Sequence, residues 1–301
     1  MHLSLCKFLK FKEVNTMTVI NTNTSATIAA NSLAKNERAM NEAMERLSTG
    51  KRINNAGDDA AGLAISSRMT SQIEGLQQAA RNANDAISMI QTADGALTEI
   101  TSILQRMREL TVQASSATNS TTDITALATE FNGLRDEVAN IVTYTSWNGR
   151  TLLDGTVDGT GDDIVTFQIG SNTAQSINVD FGTFAMTATT GNDFGGDFQT
   201  DLTFSTNANA NTAMGYIDTA ITAVTTRQAT LGAAISRLEH AIDNLSNNAV
   251  NMEASRSRIM DANYAKESTE LARTQIIQQA GTAMLAQANQ KSQSVFNLLK
   301  G

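Results

Sequence analysis

Residues 69–107 read MTSQIEGLQQAARNANDAISMIQTADGALTEITSILQRM, and the spacing of their apolar side chains decides the fold. Met69, Ile73, Leu76, Ala80, Ala83, Ile87, Ile90, Ala93, Leu97, Ile100, Leu104 and Met107 step by threes and fours without a break, which sets them on one stripe of an α-helix. Asp58 or Asp59 is available to cap it, and a Ser/Thr/Asn turn at 115–122 ends it, so the helix is expected from Asp59 to Ser116. At 1.5 Å per residue it is about 85 Å long, longer than a globular core, and it requires an equally long helical partner.

Working outward, the same signal recurs. Leu33, Glu37, Met40, Met44 and Leu47 form a short seam that Ser48, Thr49 and Gly50 break. A turn at Asn54, Asn55, Gly57 and Asp58 follows. Ile124, Leu127, Phe131, Leu134, Val138 and Ile141 form another seam, with Thr122 or Asp123 as its cap. From Met214 the alternation returns through Ile217, Ile221, Val224, Leu231, Ile235, Leu238, Ile242, Leu245 and Met252, with Gln228 its one polar step. Residues 259–299 lack helix breakers but are rich in Ala and Gln, so that helix buries too little to stand alone and is expected to pair with the opposite end of the chain.

Between the helices, Val165, Phe167 and Ile169 alternate, as do Ile177, Val179 and Phe181, which predicts two or more strands. Six of the ten Phe fall between 167 and 204, giving this segment its own core. Residues 187–212 read as loop or irregular strand, removable without loss of assembly. The fold class is therefore mainly α: a long antiparallel helical coiled-coil bundle built from both chain ends, with a small β-rich outer insertion.

Composition narrows the function. The 301 residues contain no Pro, one Cys (Cys6) and two His (His2 and His240), too few for a disulfide framework or a thiolate metal cluster, and poor material for a catalytic triad. No catalytic, cofactor or metal residue is assigned. No run of apolar residues is long enough to cross a membrane. Net charge is −8, and between Arg150 and Arg227 there are nine Asp and no Lys, Arg, His or Glu. A net negative charge concentrated in one segment speaks against nucleic-acid binding and for an outward-facing, solvated region. Asp158, Asp162, Asp163, Asp193, Asp197 and Asp201 match no calcium-loop spacing and read as turn formers. Residues 1–16, MHLSLCKFLKFKEVNT, differ from everything after them, and the mature chain is expected to start at or just after Met17, the alternative being a short basic amphipathic arm on a longer product.

The blocks ERLSTGKRINNAGDDAAGLAIS (45–66), IEGLQQAARNANDAISMIQTADGALTEITSILQRMRELTVQ (73–113), WNGRTLLDG (147–155) and SRIMDANYAKESTELARTQIIQQAGTAMLAQANQKSQSVFNLL (257–299) resemble bacterial flagellin. The resemblance spans about 17–155 and 215–301, and departs from the family in lacking a proline before the last turns. It implies a subunit exported unfolded by the flagellar type III system that polymerises with itself into the extracellular filament. It also implies an export chaperone, filament cap and hook-junction proteins as partners, with no cofactor, nucleic acid or membrane insertion. Residues 17–58 and 259–301 then form an inner layer, 59–155 and 214–258 a middle layer, and 156–213 the surface.

Two sets of residues follow. The assembly seam is expected at Ile73, Leu76, Ile87, Ile90, Leu97, Leu104, Leu231, Ile235, Leu238, Ile242, Leu245, Leu271, Leu298 and Leu299. A host innate immune receptor is expected, by resemblance, to bind Gln105, Arg106, Arg108, Glu109 and Leu110 around Met107, with the arginines as bidentate forks and Leu110 as apolar anchor; block 45–66 matches the one plant receptors read. Two alternatives stay open: a hook-filament junction protein, whose family lacks the full DDAAGLAIS and QIIQQAGTAMLAQANQ blocks, and a filament protein with an added surface-adhesin role.

Overall fold

A computed structural model describes residues 22–157, 163–184, 194 and 204–298, the side chains of 291–298 excepted. The proposed start at Met17 and the side chains of Leu298 and Leu299 thus lie outside the described residues, as do Asp158, Asp162, Asp193, Asp197 and Asp201. The elements are α1 (Thr24–Thr49), α2 (Ala60–Ala114), α3 (Thr121–Tyr144), β1 (Ser146–Trp147), β2 (Arg150–Thr151), β3 (Ile164–Gln168), β4 (Ser176–Asp180), α4 (Asn207–Met260) and α5 (Tyr264–Leu298). The chain divides into two units, one of residues 1–66 and 257–301, the other of 67–256.

In the 67–256 unit, α2 and α4 run antiparallel in a single register. Arg256 donates to the Thr70 hydroxyl at 3.3 Å, Gln228 to the Thr98 hydroxyl at 3.1 Å, and Arg108 to Asp218 at 2.6 Å. Each step along α2 is matched by the same step back along α4, as two straight helices joined by a 3–4 apolar stripe require. The stripe is buried: Ala83, Ile90, Ala93, Leu97, Ile100, Leu104 and Met107 on α2 meet Ile217, Val224, Leu231 and Leu238 on α4 and Ile124, Phe131 and Val138 on α3 in one continuous core. Helix α3 opens on a capping box in which Ser120 is the cap and Asp123 returns the bond to the Ser120 N–H at 2.9 Å. The cap thus lies two residues before Thr122, and Asp123 is its partner in the box.

The predicted strands form. Antiparallel β3 and β4 pair Val165 with Val179 and Phe167 with Ile177, and Val165, Ile177 and Val179 are buried while the alternate positions face outward. The β1–β2 hairpin turns through Asn148 and Gly149, whose φ of 48° and 79° are the left-handed pair a two-residue turn needs.

Residues 187–212 are not all loop. Helix α4 already starts at Asn207, and Phe194, Phe204 and Ala210 are buried. Phe204 meets Phe131 edge-on with ring centroids 5.1 Å apart, and Phe194 meets Phe184 at 5.0 Å. Deleting 187–212 would therefore cut into the core of this unit, which overturns the expectation that it is removable.

In the terminal unit, α1 and α5 lie against each other, with the Asn36 amide donating to the Thr274 carbonyl at 2.7 Å and the Asn23 amide to the Ala288 carbonyl at 3.2 Å. Little is buried there: Ala43 is the one buried residue of α1, and Glu267 and Thr274 are those of α5 among the described side chains. The helical reading of 259–299 is interrupted at 261–263, where α4 ends and Asn263 caps α5 through the Ala265 and Lys266 N–H groups. Here the segment after α1 pairs with the break: Arg52 N–H donates to Met260 O at 2.6 Å, Ala262 N–H to Gly50 O at 2.9 Å, and the Arg52 guanidinium twice to Ile259 O. Gly50, at φ 70°, ends α1 by donating to Arg46 O.

Candidate functional site: assembly surfaces and the arginine stretch

The seam residues are placed by burial. Ile73, Leu76, Ile90, Leu97, Leu104, Leu231, Leu238 and Leu245 are buried, while Ile87, Ile235, Ile242 and Leu271 are half-buried. On α2 and α4 the buried part of the seam joins helices of one chain, as a 3–4 stripe on a long helix is filled first by the nearest antiparallel helix, while Ile87, Ile235 and Ile242 keep part of their surface open.

Large apolar side chains that do remain exposed concentrate elsewhere. Ile28, Met44, Ile65, Tyr264, Ile276, Ile277 and Met284 belong to the terminal unit, against Val112, Tyr144, Ile164 and Val250 in the larger one. Ile28, Ile276 and Met284 are each about two-thirds exposed, at 66%, 65% and 66%. Spacing placed Met44 on the α1 seam, yet it is half exposed, and the remaining residues of this set follow no clean stripe; the buried residues of α1 and α5 among the described side chains are Ala43, Glu267 and Thr274.

Helix α2 turns its 105–110 stretch two ways. Gln105, Arg106, Arg108 and Glu109 are exposed, whereas Met107 is 0% and Leu110 1% exposed. The reading of Leu110 as a surface anchor is thereby corrected: it falls three residues after Met107 on the buried stripe, in the core with Ile124 and Phe131. The arginines are engaged. Arg106 bonds Glu130 of α3 and Glu109 of its own helix, each at 2.9 Å, and Arg108 bonds Asp218 of α4. Glu130 first, then Glu109, hold the Arg106 guanidinium above its ordinary pKa, and Asp218 does the same for Arg108. Neither Glu130 nor Asp218 was legible as a partner, since both lie far away in sequence.

Block 45–66 is a braced corner. Asp58 accepts from the Asn54 and Asn55 N–H groups, both at 2.9 Å, and those bonds, Asn55's the larger, hold its carboxyl below the usual carboxylate range. Asp59 caps α2 through the Gly62 N–H at 2.8 Å, and Ile53 and Ser66 are buried. No helix among the described residues is long and apolar enough to cross a membrane.

Comparisons with known proteins complete the picture. Residues 20–158 match the bacterial flagellin N-terminal helical region and 214–299 the bacterial flagellin C-terminal helical region. The chain is 47% identical to a flagellin of Halalkalibacterium halodurans, over 94% of this chain and 100% of that one. It is 43% identical to a flagellin of Bacillus subtilis, over 93% and 99%. In structure it shares the fold of a putative flagellar hook-associated protein from Vibrio parahaemolyticus, with a TM-score of 0.55 and 14% identity over 68% of this chain and 100% of that one. The chain belongs to the bacterial flagellin family.

Proposed function

We propose that this chain is a structural subunit that polymerises with itself into the flagellar filament, working outside the cell in swimming motility and performing no catalysis. The observation that carries the reading is the terminal unit: two helices, 26 and 35 residues long, that bury almost nothing between them and keep Ile28, Ile276 and Met284 exposed. Ordering a backbone costs roughly 1–2 kcal/mol per residue. Burying so little apolar surface within one chain does not offset that, whereas neighbouring copies would cover the exposed side chains.

The layered assignment fits this account: 17–58 with 259–301 innermost, 59–155 with 214–258 around them, and 156–213 outward with the Asp-rich composition. Export unfolded, an export chaperone, and cap and hook-junction partners belong to the same reading. For the host receptor, the surface is Gln105, Arg106, Arg108 and Glu109, without Leu110. Beside the junction-protein alternative stands a fold likeness to a putative flagellar hook-associated protein at 14% identity, against 47% identity over 94% of this chain with a flagellin.

The test is assembly. Purified chain seeded with filament fragments is expected to elongate them under electron microscopy, and chain lacking Ser292–Gly301 to stay soluble and unassembled. Normal filaments from the truncated chain would overturn the role given to the terminal helices.

A further inference from the structure

The chain contains two Asn–Gly dipeptides, and they meet opposite surroundings. Asn148–Gly149 forms the exposed two-residue turn of the β1–β2 hairpin. Nothing beyond its chain neighbours stands within 4 Å of where a Gly149 Cβ would be, and no described residue accepts the Gly149 N–H. Asn132–Gly133 sits inside α3, where the Gly133 N–H belongs to the helical ladder, and the Asn132 Oδ1 is buried without a partner.

We propose that Asn148–Gly149 is a self-modification site, at which the chain converts Asn148 to a carboxylic acid through a cyclic imide, and that Asn132–Gly133 is protected from the same reaction by its helix. The Gly149 backbone nitrogen attacks Cγ of Asn148. An N–Cγ bond forms, the Cγ–Nδ2 bond breaks, and the amide group leaves as ammonia with the proton of the Gly149 N–H. Water then opens the imide at either carbonyl. One route restores the backbone with an aspartate; the other routes the chain through the side chain as isoaspartate. The net change is water in and ammonia out, with no oxidant or reductant.

Two features make the hairpin the reactive place. Attack requires the Gly nitrogen to turn toward the side chain, which an exposed turn without a Cβ permits and a helix forbids until it opens locally. The isoaspartate route also inserts one methylene into a turn whose geometry admits only two residues. The pairs Ser146–Thr151 and Trp147–Arg150 then lose register, although Trp147 packs on the core and Leu152 and Leu153, just beyond, are fully buried. The product is a hairpin with a new negative charge and, by the second route, a loosened turn.

The test is peptide mass spectrometry of the full chain aged in mildly alkaline buffer, with and without denaturant. In the folded chain Asn148 is expected to convert at least about tenfold faster than Asn132, because the helix must first open; in denaturant the two rates should converge. Asn148→Gln should remove the signal at 148 and leave 132 unchanged. Equal rates in the folded chain would overturn the proposal. So would a difference that survives denaturation, since that would place its cause in neighbouring sequence and not in the fold.

Discussion

The two units of this molecule are built from the same kind of element to opposite ends. In the 67–256 unit, long helices spend their apolar stripe on each other, so that Leu97, Leu104, Val224 and Leu238 are all fully buried. In the terminal unit, α1 and α5 touch through Asn36, Thr274, Asn23 and Arg46, the last 3.6 Å from buried Glu267, while Ile276 and Met284 face outward. A helix pair can thus be complete within one chain or left incomplete, and the incomplete pair is the one that calls for neighbours. The hydrogen-bonded corner at 50–62 and 259–263 is the best-braced part of the terminal unit.

The sharpest way to break this contrast is to delete side chains on each side of it. Leu97→Ala should cost the free chain about 2–5 kcal/mol, read as a lowered denaturant midpoint, because it opens a cavity in a sealed core. Ile276→Ala should change stability by less than about 0.5 kcal/mol, as exposed positions do, yet slow filament growth. Equal stability losses would erase the difference between the units. Leu110→Ala belongs with Leu97→Ala: it should destabilise by a similar amount, and any loss of receptor signalling should track unfolding.

Helix ends give a smaller effect. Ser120→Ala removes the cap of α3 and should cost about 1 kcal/mol. Asp123, its partner, is held below the ordinary carboxylate range by the Ser120 hydroxyl and N–H. A carboxyl whose folded pKa lies below its unfolded value stabilises the chain above the unfolded pKa, and that contribution is lost as pH falls through the folded one. The stability gap between wild type and Asp123→Asn should therefore close in acid, which chemical denaturation at a series of pH values would follow.

Glycine substitutions are of similar size but opposite sign. Gly95→Ala in α2 meets nothing within 4 Å and should stabilise by roughly 1 kcal/mol. Gly75→Ala should gain less, since its Cβ would stand 3.0 Å from the Ser171 Cβ at the β3–β4 turn. Arg106→Ala and Arg108→Ala break only exposed, solvent-screened ion pairs and should leave the denaturant midpoint nearly unchanged. A large loss of receptor signalling in either variant would then report binding and not unfolding.

Much of this was legible in sequence, for physical reasons that also mark where legibility ends. The α2 stripe and the alternation in β3 and β4 could be read because large apolar side chains repeat at a fixed period. The first turns of α4 could not, because the buried positions there are Ala210 and Ala213, which carry little apolar contrast. The break at 261–263 is enforced by pairing with Gly50 and Arg52, a contact across some two hundred residues that no local signal announces. Leu110 was misread for a different reason: a family motif was taken as a surface, although three-residue spacing from Met107 already placed it on the buried stripe.

Hydrogen exchange followed by mass spectrometry, on free chain and on filaments, tests the central claim most directly. The account predicts slow exchange in 83–107 and 217–238 in both forms, and fast exchange in 24–42 and 274–290 of the free chain that becomes slow in the filament. Terminal helices already as protected in the free chain as the α2–α4 core would contradict it.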